Sequence, residues 1–319
     1  MGEDVTRELL DYSNRDAILD LVGVAGADPL PGGERLARWL ASGAHGDMHY
    51  LERTACVRAD PAAFLPGARS VVVGALSYHE DGEADAPQPS PDRVQVARYA
   101  CRRDYHVVLR RRMIRLGRTL GRLAPGAVWR VAVDTGPVLE KELAHRAGLG
   151  WIGRNTLLIH PELGSHLLLG VLITDVPLTP STLQADRCGD CMACVKACPT
   201  GAIGPDRRLE AQRCLSYLTL EHSAELAGEL RKALGAWLAG CDLCQQVCPW
   251  NRTARATANP SLPLRTELTR LTASRLATMG PEAWRELAAG TPLTRLGFDR
   301  FQRNLEVIRS NLESHGPGA

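Results

Sequence analysis

Apolar residues recur along this chain with two different periods. Between 105 and 123, Leu109, Met113, Leu116, Leu120 and Leu123 follow one another in steps of four and three, the spacing that lines one face of an α-helix. The same logic predicts a helix over 1–22, with Leu9, Leu10, Ile18, Leu19 and Val22 as core positions. Another is predicted over about 34–53, interrupted near Gly43 and Gly46. Residues 69–77 and 128–133 are short β-branched apolar runs, which predict buried strands. Residues 156–160 and 166–174 read as a hairpin around a turn at 161–164. A helix over 138–147 stops at Gly148, and 215–237 is predicted to be largely helical. Short helices over 265–278, 281–288 and 298–312 end the chain. Residues 80–92, rich in Pro, Asp and Ala, read as a surface loop, and 175–185 as a domain boundary.

At 319 residues, 45% of them hydrophobic, the chain has the length for two domains and a small third, and the composition of a globular protein. No apolar run approaches the roughly 18 residues of a membrane span, and no secretory or twin-arginine pattern precedes the first helix. The net charge of +2 neither requires nor excludes a nucleic acid. Its placement says more. Arg111, Arg115, Arg118 and Arg122 trail the apolar stripe of 105–123 by two residues and form a basic ridge on the far side of that helix. Such a ridge can follow a phosphate backbone, although a solvated polar face is the plainer reading. Residues 251–319 hold ten arginines against six acids, a mildly basic tail.

The cysteines carry the chemistry. Cys188, Cys191, Cys194 and Cys198 stand at C-x2-C-x2-C-x3-C-P, a run in which three thiolates bind one [4Fe–4S] cluster and the fourth turns to a second cluster. Cys241, Cys244 and Cys248, before Pro249, form the mate. Its missing first position would fall on Leu238, which cannot ligate iron, and Cys214 is the substitute. One cluster is therefore assigned to Cys188, Cys191, Cys194 and Cys248, the other to Cys198, Cys214, Cys241 and Cys244. Structural zinc prefers paired knuckles with longer spacers and fits poorly. Thiolate-bound iron needs a reducing compartment, so a cytoplasmic location is expected. The two cysteines left over, Cys56 and Cys101, show no disulfide framework.

Two clusters in series relay single electrons. A ferredoxin-type electron carrier is the simplest protein of that kind, yet it leaves some 180 preceding residues without a purpose. The front half is therefore expected to hold a second redox centre. It contains no G-x-G-x-x-G for a dinucleotide and no CxxCH for haem.

Four further segments carry a family resemblance: Arg98-Tyr-Ala with Asp104-Tyr-His; Val133-Asp-Thr-Gly-Pro-Val-Leu-Glu-Lys-Glu-Leu-Ala; Gly148-Leu-Gly-Trp-Ile-Gly-Arg-Asn-Thr-Leu-Leu-Ile; and Cys214-Leu-Ser-Tyr-Leu-Thr-Leu-Glu. With the cysteine runs, the chain resembles the epoxyqueuosine reductases over about 45–250. The resemblance implies an α+β fold in three parts: a cobalamin-binding catalytic α/β domain over 1–180, a ferredoxin-like two-cluster domain over 181–255, and a short helical, repeat-like extension over 256–319 that contacts tRNA. It also implies base-off cobalamin, electrons from an external donor of flavodoxin or ferredoxin type, a monomer, and reduction of the epoxide at the tRNA wobble position to the alkene. Asp134 matches the proton donor. Arg58, Tyr99, Asn155, Thr156, Leu158, Ser165 and Ser216 fall in segments that line the cobalamin, as does Asp134. Taken without the resemblance, Asp134 before Gly136-Pro137 is a turn or capping residue, and His106 is a structural residue at a helix start. His160 and His166 read as surface residues flanking a turn. Cys101 and Arg102 depart from the family pattern, and Cys101 reads as a small buried hydrophobe. The nearest rival is a reductive dehalogenase-like corrinoid iron–sulfur enzyme.

Overall fold

The computed structural model describes residues 2–80, 91–226, 228–256 and 259–314, so most of the surface loop expected over 80–92 lies outside them. Four strands, β1 (Leu21–Gly26), β2 (Ser70–Ser77), β3 (Trp129–Ala132) and β4 (Leu167–Thr174), form one antiparallel sheet in the order β1–β2–β4–β3. The central pair is apolar on both faces because both faces are covered. Val72, Leu76, Leu168 and Leu172 meet the helices Gly2–Arg15 and Tyr105–Leu123. Val71, Val73, Ala75, Val171 and Ile173 meet the helix Glu140–Arg146. The class is α+β, as expected, with no parallel crossover in this sheet.

The helix Tyr105–Leu123 has the predicted bounds, and Leu109, Met113, Leu116 and Leu120 are fully buried. It lies close to the sheet because the cross-strand partners Gly74 and Gly170 present no side chains to it. A Cβ on Gly170 would stand 2.9 Å from Met113 Cγ. The helix starts where it does because the Asp104 side chain accepts the His106 backbone N–H at 3.0 Å.

Four expectations of the elements are corrected. The helix predicted over 1–22 ends at Arg15, and Leu21 and Val22 open β1. The predicted hairpin of 156–160 with 166–174 does not form. Trp151–Ile152 pairs instead with Leu158–Ile159, and β4, apolar on both sides, takes a central place between β2 and β3. The predicted 34–53 helix is Gly32–Ala41 and Tyr50–Arg53, separated by a loop in which Gly43 (φ 70°) and Gly46 (φ 61°) are left-handed. Residues 215–237 contain helices Leu215–Leu220 and Gly228–Ala233, and the strand Trp237–Ala239 then pairs in parallel with Gln95–Val96.

The closing helix Gly297–Ser314 buries Phe301, Leu305, Val307 and Ile308 in one core with Leu215, Leu218 and Leu238. Buried Asn304 donates to the Thr219 and Leu238 carbonyls at 3.0 and 2.8 Å. Arg303 donates to the carbonyls of Leu218, His222 and Ala224. These carbonyls lie in the last turn of the Leu215–Leu220 helix and in the segment just after it, so this arginine of the basic tail is an internal anchor. Among the described residues, no helix is long and apolar enough to cross a membrane.

Candidate active site between the cysteine module and the sheet

A cavity of about 440 Å³ opens between the cysteine-bearing segments and the edge of the sheet domain. Cys198, Cys214, Cys241 and Cys244 line one side, and Tyr105, His106 and Asp134 line the other. All four members of one assigned cysteine set therefore border a single space.

The local chain explains the grouping. Cys188–Cys194 and Cys241–Cys244 wrap onto the short helices Ala193–Ala197 and Leu243–Gln246, which pack on each other. Cys198 and Cys248 each precede a proline, which drives them to extended ψ values of 112° and 122° and turns their thiols away from their own helices. The thiols lie close enough to feel one another, and Cys244 feels Cys194 across the two assigned sets. The charges acting on Cys248 are those of Cys188 and Cys194, and those acting on Cys241 include Cys214 and Cys198. Burial pushes the Cys241 thiol up to about 12, and Cys244 further in the same direction. Thiolates crowded this way need a cation among them, and iron meets that need. Cys191 is exposed whereas Cys194 and Cys248 are buried, so this set meets solvent at the Cys191 corner.

Across the cavity, Asp134 sits in a left-handed conformation, φ 48°, which is uncommon for a residue with a side chain. Its backbone N–H donates to Glu140 Oε1 at 2.5 Å, which holds the turn. Asp134 Oδ2 accepts from His106 Nε2 at 2.9 Å and faces Arg295 Nη1 at 3.4 Å. The other ring nitrogen of His106 meets Asp104 Oδ1 at 2.7 Å. Burial works to raise the Asp134 carboxyl, but His106 and then Arg295 outweigh it and hold the carboxyl below its ordinary range. Burial works to lower His106, and its two carboxylate partners outweigh that, so the imidazole is held above its ordinary value. Glu140 is different: burial, and after it the Asp134 charge, push its carboxyl up to about 8. The turn therefore combines a Glu140 that keeps its proton up to about pH 8, an Asp134 that gives its proton up more readily than a free carboxyl, and a His106 that holds its proton more firmly than a free imidazole. Helix Glu140–Arg146 begins six residues after Asp134, so Asp134 does not cap it.

With this geometry in view, relatives become informative. The family described as "4Fe-4S double cluster binding domain" matches residues 187–251, and "Epoxyqueuosine reductase QueG, DUF1730" matches 58–135. An epoxyqueuosine reductase of Synechococcus sp. (strain CC9605) is 40% identical over 292 residues, covering 89% of this chain and 88% of the relative. The chain belongs to the epoxyqueuosine reductase family. The Escherichia coli (strain K12) member is 36% identical over 91% of this chain and 77% of its own. A crystal structure of an epoxyqueuosine reductase with an epoxyqueuosine-modified tRNA-Tyr stem loop superposes with a TM-score of 0.89 at 30% identity, over 97% of this chain and 82% of that one. The family is that of an oxidoreductase, and the relatives span the front half as well as the cysteines, which a bare electron carrier would not require.

The residues that family likeness implies are only partly gathered. Tyr99, Asp134, Asn155, Thr156, Ser165 and Ser216 line the cavity. Thr156 is left-handed, φ 62°, and buried Asn155 Nδ2 has no partner among the described residues, a donor available to a bound group. Leu158 packs into the sheet core, and Arg58 lies under the Asp134 turn, donating to the Thr54 hydroxyl and the Val138 carbonyl. Neither reaches the cavity lining. Cys101 is a core residue, 1% exposed.

His166 is corrected. It is 2% exposed, stacked on His79 with Nδ1–Nδ1 at 3.2 Å, and burial holds it down to about 3, so it stays neutral. Sequence reasoning missed Glu140, Lys141, Glu221 and Arg295. The first three lie in quoted family segments, so a signal existed. Lys141 donates from Nζ to the Thr156 carbonyl at 2.7 Å, beside the inner cysteines. Arg295, in the tail, carried no signal.

Proposed function

We propose that this chain reduces the epoxide of epoxyqueuosine at the tRNA wobble position, using Cys198, Cys214, Cys241 and Cys244 for an inner [4Fe–4S] cluster and Cys188, Cys191, Cys194 and Cys248 for an outer one. The observation that carries the reading is the shared cavity: an inner cysteine set on one wall and an acid pair, Asp134 with His106, on the other. The reaction consumes two electrons and two protons. Both C–O bonds of the epoxide break, a C=C bond forms, and the oxygen leaves as water. Cobalamin, when bound, supplies a low-valent cobalt that is a strong nucleophile and takes electrons one at a time. Tyr99, Tyr105 and Leu168 offer an apolar wall to such a macrocycle, and Asn155, Thr156, Ser165 and Ser216 offer polar anchors at its edge.

The protein's own residues manage the proton. Ring opening leaves charge on the epoxide oxygen, and an acid placed beside it removes the need to form an unprotonated alkoxide. Asp134 is the group at that position, with His106 behind it. The substrate base has to leave its stack to enter the cavity, which suits an anticodon loop more than a duplex. A soluble one-electron donor reaches the exposed Cys191 corner, and the enzyme works as a cytoplasmic monomer.

The test is turnover of an epoxyqueuosine anticodon stem-loop by anaerobically reconstituted protein, read by mass spectrometry of the nucleoside. Asp134→Asn, a change the left-handed turn tolerates, is expected to keep iron, sulfide and corrin content and lose about 10²–10⁴ in kcat. Near-normal turnover in that variant removes Asp134 from the chemistry. Wild-type protein that binds no corrin and converts nothing removes the reading itself.

A further inference from the structure

The C-terminal segment reaches the acid pair at one point. Arg295 lies in the turn Pro292–Leu296, where the Thr291 hydroxyl accepts the Leu293 N–H and starts a short 3-10 helix. From there its guanidinium spans two carboxylates, with Nη1 3.4 Å from Asp134 Oδ2 and Nη2 2.5 Å from Glu221 Oε1. The segment that carries it is anchored by Arg303 and Asn304 to the end of helix Leu215–Leu220, and Glu221 follows that helix directly. The fork is therefore built on fixed backbone at both ends. Arg295 is 42% exposed, at the cavity mouth, and Asp134 is 37% exposed beneath it.

We propose that Arg295 is a positioning residue of the reduction: by closing over Asp134 it sets how firmly the His106–Asp134 pair holds its transferable proton, which rests on His106. The proposal rests on the acid role of Asp134 given above. Asp134 Oδ2 is shared by His106 and the Arg295 guanidinium, and the ring of His106 is bracketed by Asp134 and Asp104. A carboxylate that accepts from a fixed arginine holds a proton weakly, so the proton stays one atom away, on Nε2 of the imidazole. When charge builds on the epoxide oxygen, the proton passes from His106 Nε2 to Asp134 Oδ2. Asp134 then gives a proton to that oxygen, and the pair takes one back from solvent. No other co-reactant is needed.

The charges facing this group are few. Glu221 and Tyr50 face Arg295. Glu140, neutral at pH 7, and Arg58 lie behind Asp134, and Tyr105 stacks on the His106 ring at 4.1 Å. Glu221 competes with Asp134 for the guanidinium, so it regulates how firmly the fork closes.

The experiment measures the proton directly and through the rate. Carbethoxylation of His106 against pH, followed by peptide mass spectrometry, reports its protonation without turnover. The pH dependence of kcat/KM with a chemical reductant in excess reports it in the working enzyme. Arg295→Gln is expected to raise the His106 midpoint and move the alkaline limb of the rate profile up by about one pH unit, because a nearby cation is gone. Arg295→Lys, which keeps the charge, is expected to stay close to wild type in both. Glu221→Gln, which leaves Arg295 to Asp134 alone, is expected to move both the other way. An unchanged midpoint in Arg295→Gln, or an equal shift in Arg295→Lys, overturns the proposal. If wild-type protein shows the midpoint pattern but no turnover, the functional reading fails and the proton placement stands.

Discussion

Glu140→Gln is the sharpest test of the electrostatics behind the site. In the folded protein the Glu140 carboxyl is raised from 4.5 to about 8, mainly by burial and then by the Asp134 charge. A carboxyl raised on folding binds its proton more tightly in the native state than in the unfolded chain. Its unfavourable effect is therefore absent below pH 4.5, grows as pH rises through the window from 4.5 to about 8, and is constant above it. Within the window the slope reaches about 1.4 kcal/mol per pH unit, so the ceiling is about 4–5 kcal/mol. Glu140 is only partly shielded from solvent, and Arg58 lies within reach to compensate, so about half, ~2 kcal/mol, is expected. Glutamine keeps the acceptor that holds the Asp134 N–H and cannot ionise. The variant should match wild type near pH 5 and melt about 3 °C higher near pH 8. The assay is anaerobic thermal unfolding of protein with matched cluster content at several pH values. A difference in Tm that is the same at every pH would refute the reasoning, since it would mean that Glu140 does not carry its proton into the folded state.

Two further outcomes follow from the packing. Cys214→Ala should abolish turnover with any reductant, because that thiol borders the cavity, whereas Cys191→Ala should slow turnover with a protein donor but retain activity with a strong chemical reductant; equal loss in both assays would contradict the inner and outer assignment. Gly74→Ala places a Cβ 2.3 Å from Leu19 Cδ1 and 3.0 Å from Met113 Sδ, so it should cost about 1–3 kcal/mol and lower Tm while leaving kcat of the folded fraction unchanged; an unaltered Tm would mean that the helix on that face can retreat freely.

What could be read without coordinates follows from how locally each feature is encoded. The helix 105–123 was legible to the residue because its stripe, its Asp104 cap and its packing face lie within twenty consecutive positions. The two-cluster module was legible because cluster binding imposes short cysteine spacings, and the double-cluster family spans 187–251. The hairpin over 156–174 was misread because a strand buried on both faces has the same local pattern whether it pairs with its chain neighbour or with β2, ninety-odd residues earlier. His166 was misread for a related reason: its surroundings come from His79, two residues beyond β2, so a polar residue beside a turn looked like surface. Arg295 was beyond reach because its meaning depends on Asp134, from which it is separated by 161 positions.

The charges of the site also bear on timing. Asp104, Asp134 and Glu221 are offset by His106 and Arg295, and Glu140 adds nothing at neutral pH, so the cluster of side chains is nearly balanced before any electron arrives. In the proposed reaction each electron delivered past Cys198 and Cys214 adds negative charge to a cavity whose opposite wall is this pair. Negative charge at that distance strengthens the hold of His106 and Asp134 on protons and draws a replacement from solvent. Proton uptake is thereby tied to electron entry by position alone, and the acid is reloaded when the second electron makes it necessary. A neutral Glu140 suits the proposed acid role of Asp134: a further carboxylate there would hold a proton back from the epoxide oxygen at the moment Asp134 would have to give one.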